Sequence, residues 1–168
     1  DWAWSVDCVG YPAGDLLPIL EGMCRVVRPG GMIALLGWTT QQLLPGHELL
    51  EARLNATCSS FAPFLESQPP LAHFQRALHW FNRAGLTALA CRVMPGTVRA
   101  PVSPEIRGAL AMLFEMLWGG SISRAGAEDA AAYRRLCRPD SPDFIVDLPE
   151  YWGSFTYMMF SGRVPASG

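Results

Sequence analysis

Lysine is missing from this chain of 168 residues: all 13 side chains in the lysine and arginine class are arginine. No Schiff base can form on a lysine amine, which removes that route to covalent catalysis. Charge of either sign is sparse, at 17% of residues with a net charge of −2. There is no basic footprint for a nucleic-acid backbone and no like-charged run for a membrane surface. Long apolar runs are missing too, because even Met32 to Trp38 is cut off by Thr39, Thr40, Gln41 and Gln42, well short of a membrane span. A soluble protein is expected. The cysteines Cys8, Cys24, Cys58, Cys91 and Cys137 are odd in number and widely spaced with no C-x-x-C. That pattern indicates neither a disulfide framework nor a zinc knuckle and fits a reducing cytoplasm. His47, His73 and His79 lack the spacing of a ligand pair on one helix face, so they read as structural or exposed and no metal is expected.

What the chain does contain is half hydrophobic residues, enough for one sizeable core. The informative stretch is Arg25 to Trp38, RVVRPGGMIALLGW. Pro29 cannot continue a helix, and Gly30 and Gly31 are expected to accept the positive φ of a tight exit. Met32 to Leu36 then shows no polar alternation, as in a strand covered on both faces inside a parallel sheet. Upstream, Trp2 to Val9 is aromatic and β-branched, so a strand should end near Ser5 to Asp7 before a loop with Gly10, Pro12 and Gly14. Asp15 fits an N-cap for a helix whose apolar positions are Leu16, Leu17, Leu20, Met23, Cys24 and Val27. Strand, helix and strand form a crossover unit joining parallel strands.

Downstream, PGHELLEARLNA predicts a short helix, and 61–70 is irregular because of Pro63, Pro69 and Pro70. A longer helix is predicted over LAHFQRALHWFNRAG, with Leu71, Phe74, Leu78 and Phe81 on one stripe and Gly85 as its C′ glycine. Leu86 to Val93 is a strand candidate. Ser103-Pro104-Glu105 is a helix start and Gly119-Gly120 a stop; a second helix should span Ala125 to Arg138, and Tyr151 to Val164 reads as the last strand. The organisation is a single partial domain over 1–168. Core strands and helices occupy 1–99, a helical insertion 100–150, and the final strand and tail 151–168. Insertions of this kind often cover a site.

The runs DWAWSVDCV, EGMCRVVRPGGMIALLGW, HFQRALHWFNRAGL and FTYMMFSGRV resemble, in that order, the C-terminal half of a class I S-adenosylmethionine-dependent methyltransferase. The flavour is the small-molecule type that includes the quinone-biosynthesis enzymes. In that family an R-V-[LV]-[KR]-P-G-G run leads from the helix after the fourth strand into the fifth, and Arg25 to Gly31 fits it throughout. The resemblance implies an α/β, partial Rossmann-like sheet of later strands, S-adenosyl-L-methionine as cofactor and methyl transfer to a small molecule. It also implies a glycine-rich loop and an acidic residue lying upstream. No G-x-G-x-x-G occurs here, so the N-terminal cofactor-binding part is absent and this stretch alone is expected to be inactive. The first residues, already a strand in full course, read as those of a fragment.

Ligands of open α/β sheets sit beyond the carboxyl ends of the strands, which selects Ser5, Val6 and Asp7. The resemblance implies that the same region touches the cofactor. For Asp7 the alternatives are a turn or cap carboxylate and a proton acceptor, with the former favoured. Cys8 and Tyr11 in the following loop, with Trp38 and Thr39 at the end of the next strand, are candidates for the substrate pocket; Tyr11 also fits a surface turn and Trp38 plain packing. Met112, Leu113, Met116, Leu117 and Trp118 read as core or as a lid, and Glu115 among them as the holder of a polar partner. Two other readings remain open: a non-catalytic half domain whose exposed strand edge would favour a homo-oligomer, and the nucleotide domain of a nicotinamide-dependent dehydrogenase.

Overall fold

The computed structural model of the chain describes residues 1–8, 16–58 and 69–166. Its first elements are β1 (Trp2–Val6), α1 (Leu17–Val26) and β2 (Met32–Gln42). The two strands pair in parallel, Trp2 beside Met32 through Val6 beside Leu36, as the crossover pattern requires. Asp15 lies outside the described residues, and α1 opens after Leu16 with a proline in its first turn. At the exit only Gly30 takes a positive φ, 79°. The expectation of the same at Gly31 is corrected: that glycine is needed for space, since a Cβ would stand 2.8 Å from the Asp1 carbonyl oxygen.

β2 runs past its apolar stretch through Thr39 and Thr40, because these residues still find partners across the sheet. Thr39 Oγ1 lies 2.9 Å and Thr40 Oγ1 2.6 Å from Thr156 Oγ1. Ile33, Ala34 and Leu35 are buried in succession, the expected signature of a strand with no water-facing side.

The remaining elements are α2 (Glu48–Thr57), α3 (Ala77–Arg83), β3 (Thr87–Arg99), α4 (Pro104–Trp118), α5 (Ala127–Cys137) and β4 (Trp152–Arg163). The sheet order is β1-β2-β4-β3, so the last strand inserts between the second and third. Val164 N–H donates to the Gly31 carbonyl and Gly30 N–H to that of Val164 near one end of the β2–β4 pair, while Thr39 meets Thr156 further along. Rising position on one strand matches falling position on the other, so the pair is antiparallel. Thr87 Oγ1 donates to the Arg163 carbonyl and Ala100 N–H to that of Tyr151, so β3 and β4 are antiparallel as well. The protein is thus a mixed α/β fold with one parallel pair, and α4 and α5 fall between its last two strands. β3 is an edge strand, which is why it tolerates Pro95 within its span. The peptide bond Ala100–Pro101 is cis.

The single helix expected over 71–85 is broken. Two 3₁₀ turns, Pro70–Ala72 and Phe74–Arg76, precede α3, because His73 takes an extended conformation, φ −71° and ψ 140°. The buried stripe is therefore Phe74, Ala77, Trp80 and Phe81, whereas Leu71 is exposed. Gly85 does close the helix at φ 74°. Ser103 caps α4 by accepting from the Ile106 N–H. Beyond α4 the double glycine does not stop helical winding but tightens it into a 3₁₀ segment, Gly119–Arg124.

The chain divides into two compact units. The first comprises Asp1–Thr40, Leu65–Pro95 and Thr156–Gly168, the second Gln41–Phe64 and Gly96–Phe155. In the first, Leu16, Leu20, Ile33, Leu35, Phe81 and Phe160 form the centre of the core. In the second, Phe114 stacks on Trp118 at 5.4 Å and meets Phe144 edge-on at 6.1 Å, and all three rings are buried. Among the described residues no helix is long and apolar enough to cross a membrane.

Candidate functional site

β1 ends where the backbone turns left-handed at Asp7, φ 49°, a conformation aspartate tolerates better than most residues. The turn keeps Asp7 against the neighbouring strand: its N–H donates to the Leu36 carbonyl at 3.0 Å. Its side chain is fully engaged. Oδ1 accepts the Trp38 N–H at 2.9 Å, and Oδ2 accepts the Tyr157 hydroxyl at 2.8 Å. The carboxylate thus ties the carboxyl end of β1 to the middle of β2 and to a residue of β4. Partial burial raises the Tyr157 hydroxyl to a pKa of about 12, and the hydrogen bond to the adjacent Asp7 adds to the rise. The Tyr157 and Trp38 rings meet edge to face at 5.6 Å. Thr39, only 5% exposed, also donates its hydroxyl to the Thr156 carbonyl or shares it with the Thr156 hydroxyl.

Each residue selected from the sequence can now be placed. Ser5 stands beside Leu35 and Val6 beside Leu36 in the parallel register, both half-buried. Cys8 is exposed immediately after the turn. Tyr11 lies outside the described residues. Asp7 and Trp38 are joined by a hydrogen bond and Thr39 follows in the same strand; the expectation that Trp38 and Thr39 end that strand is corrected, since β2 runs on to Gln42. Tyr157, Thr156 and Thr40 were not singled out by sequence. Tyr157 is 150 positions from Asp7, and only the β2–β4 register brings it opposite Trp38.

The second unit holds different chemistry. Glu51 is 4% exposed and reaches back from α2 to accept the Leu43 N–H at 2.8 Å and the Leu44 N–H at 2.9 Å. Burial pushes its carboxyl above the usual range despite these donors. Its charge in turn adds to the rise that burial imposes on the Cys137 thiol and the Tyr151 hydroxyl. Asn55, the first residue of an N-x-T sequon, has its side-chain oxygen occupied by Gln41 and by the Trp118 indole N–H. The apolar cluster on α4 divides: Leu117 and Trp118 are core, whereas Met112 and Met116 are exposed. Glu115 does hold polar partners, accepting the Tyr133 hydroxyl at 3.0 Å and an Arg138 N–H at 3.2 Å. Among the described residues no group of three His, Cys, Asp or Glu side chains could hold a metal ion.

No protein-family model and no curated protein matches the chain. Solved structures do resemble it in chain path. A Bacillus halodurans protein described as a methyltransferase is 12% identical with a TM-score of 0.45, over 98% of this chain and 70% of its own. Haemonchus contortus phosphoethanolamine N-methyltransferase 2, in complex with phosphomonomethylethanolamine and S-adenosylhomocysteine, is 11% identical with a TM-score of 0.41. The same enzyme with S-adenosyl-L-methionine is 10% identical with a TM-score of 0.41. The chain spans a third of the length of those two structures.

Proposed function

We propose that the chain is the later part of an S-adenosylmethionine-dependent methyltransferase domain of the quinone-biosynthesis-like type, acting on a small apolar or aromatic molecule. The observation that carries this reading is the convergence of Asp7, Trp38 and Tyr157 just beyond the carboxyl end of β1, where its parallel pairing with β2 stops, since open α/β sheets bind ligands beyond the carboxyl ends of their strands. In this reading Ser5, Val6 and Asp7 border the cofactor, and Cys8, Tyr11, Trp38 and Thr39 border the acceptor. The edge-on pair of Trp38 and Tyr157 offers an aromatic wall of the kind that receives a flat ring. Asp7 serves as a tether for that wall, since both of its oxygens are engaged.

The bound cofactor supplies an electrophilic methyl group on a sulfonium. What the chain must add is orientation of the acceptor in line with that group and exclusion of water, and neither needs a catalytic dyad. The sequence has no G-x-G-x-x-G to hold the cofactor's amino-acid and ribose parts. The reading therefore assigns that grip to polypeptide beyond this sequence.

Calorimetric titration of S-adenosylhomocysteine into the 168-residue chain, and into a chain extended upstream through the native gene, tests the proposal. Binding confined to the longer chain and weakened by Trp38→Ala supports it; binding to neither overturns it.

The outer edge of β1 favours a second reading, a non-catalytic half domain. Asp1 and Asp7 bond to β2 through their carbonyl and N–H, and the alternation of a parallel ladder turns the backbone groups of Trp2, Trp4 and Val6 the other way. Trp2 and Trp4 are 61% and 68% exposed. Stable self-association of the chain by light scattering, with no cofactor bound by either chain, is the outcome this reading requires.

A further inference from the structure

In the second unit a cleft of about 430 Å³ opens beside Glu115, Gly119, Tyr133, Arg134, Arg138 and Asp140. Its volume lies within the roughly 300–1,000 Å³ common for small-molecule sites. A smaller space of about 230 Å³, lined mainly by Ala111, Met112 and Pro139, shares Glu115 and Arg138 with it. A chamber of mixed lining that carries the charged groups and a nearly wholly apolar one thus flank a single ion pair.

The charges of the cleft are unevenly matched. Arg138 stands between two acids, 3.2 Å from Glu115 and 3.6 Å from Asp140, which leaves a surplus of one negative charge there. Arg134 lies one helical turn earlier and lines the same cleft; among the described residues it makes no ion pair. The cleft therefore carries a negative pole and a separate positive pole. Glu115 is oriented for a ligand as well. Its Oε2 accepts both Tyr133 and Arg138, while Oε1 has no hydrogen-bond partner among the described residues. The carboxylate rests over Gly119, which has no Cβ to displace it.

We propose that this cleft binds a free α-amino acid with an apolar side chain. The ammonium group sits at Glu115 Oε1 and Asp140, the carboxylate pairs with the Arg134 guanidinium, and the side chain enters the space along Met112. An anion alone would satisfy Arg134 and leave the negative pole uncompensated; an amine alone would do the reverse. The charged groups are largely solvent-facing, with side-chain exposures of 57% for Glu115 and 47% for Arg138, so the attraction is screened by salt. The proposal does not depend on methyl transfer.

The test is titration of the 168-residue chain, followed by amide NMR shifts, with L-leucine, leucinamide, 4-methylpentanoate and glycine. Leucine is expected to saturate with a dissociation constant on the order of 0.1–1 mM. Removing the anion, the amine or the side chain should each weaken binding about 10-fold. Arg134→Ala should reproduce the leucinamide result in the 168-residue chain with unchanged near-UV dichroism, and Glu115→Gln the 4-methylpentanoate result. Arg135→Ala, which breaks an ion pair with Asp143 outside the cleft, should leave leucine binding intact. No saturable shift with leucine up to about 10 mM, equal binding of 4-methylpentanoate, or unchanged binding in Arg134→Ala would each overturn the proposal.

Discussion

The two compact units solve the same problem, satisfying backbone N–H groups on and just after β2 with a carboxylate, by different means. In the first, the end of β1 stays near water, and an exposed carboxylate, that of Asp7, bridges it and the Trp38 N–H of β2 to the hydroxyl of Tyr157. In the second, the chain that follows β2 goes inside. The Leu43 and Leu44 N–H groups meet an almost fully buried carboxylate, Glu51. The first arrangement is inexpensive to alter, because water can replace a lost partner. The second is not, since a buried donor without an acceptor carries its full desolvation penalty. The difference separates a water-accessible tie from an interior device that fixes the chain path.

The largest effects should come from the two cores. Phe81→Ala in the first unit and Trp118→Ala in the second each remove a fully buried ring and should cost about 3–5 kcal/mol. Urea unfolding followed by fluorescence and by far-ultraviolet dichroism would sharpen the division if each variant moves only one of two transitions. Coincident transitions that move together would break it.

Glu51→Ala comes next, at about 2–4 kcal/mol, because it orphans two buried N–H groups; Glu51→Gln keeps an acceptor and should cost less. The pH dependence has a definite sign. Burial raises the folded carboxyl above its unfolded value near 4.5, so the folded state binds the proton more tightly. The group's contribution is then most favourable at low pH and is lost as pH rises through the raised folded pKa. The stability of wild type relative to Glu51→Gln should fall across that window; a rise would contradict the assigned burial effect.

Tyr157→Phe should cost about 0.5–1 kcal/mol, well below the Glu51 variant. Asp7→Asn should lower the Tyr157 pKa from about 12 toward that of an ordinary phenol, read by ultraviolet titration. An unmoved titration would show that Asp7 does not act on Tyr157 in solution. The smallest effect belongs to Arg28→Ala, which breaks an ion pair with Asp1 whose side chains are 69% and 66% exposed. It should change stability by about 0.5 kcal/mol or less.

How far these features could be read in advance depends on sequence distance. The β1–α1–β2 unit was legible because its turn chemistry is local: Pro29 and Gly30 act within a few residues, and the parallel pairing follows from the helix between the strands. Ser103 was legible as a cap for the same reason. The helix over 71–85 was misread because its apolar spacing is helical while His73 is extended, a choice that periodicity does not register. Asp7, Trp38 and Thr39 could be selected from the local strand pattern, although β2 runs on to Gln42. Their mutual hydrogen bonds could not, because they run through Tyr157 and Thr156 on the last strand.

The amino-acid sequence by itself determined the turns, the caps and the crossover between two parallel strands, since each depends on the φ preferences and hydrogen-bonding side chains of adjacent residues. Tertiary structure decided that β4 lies between β2 and β3, that Tyr157 reaches Asp7 and that Glu51 closes the end of β2 from within. The pairings of β4 bring together residues far apart in the chain. Such non-local pairing is settled by the burial and hydrogen bonding of the whole sheet rather than by any local stretch.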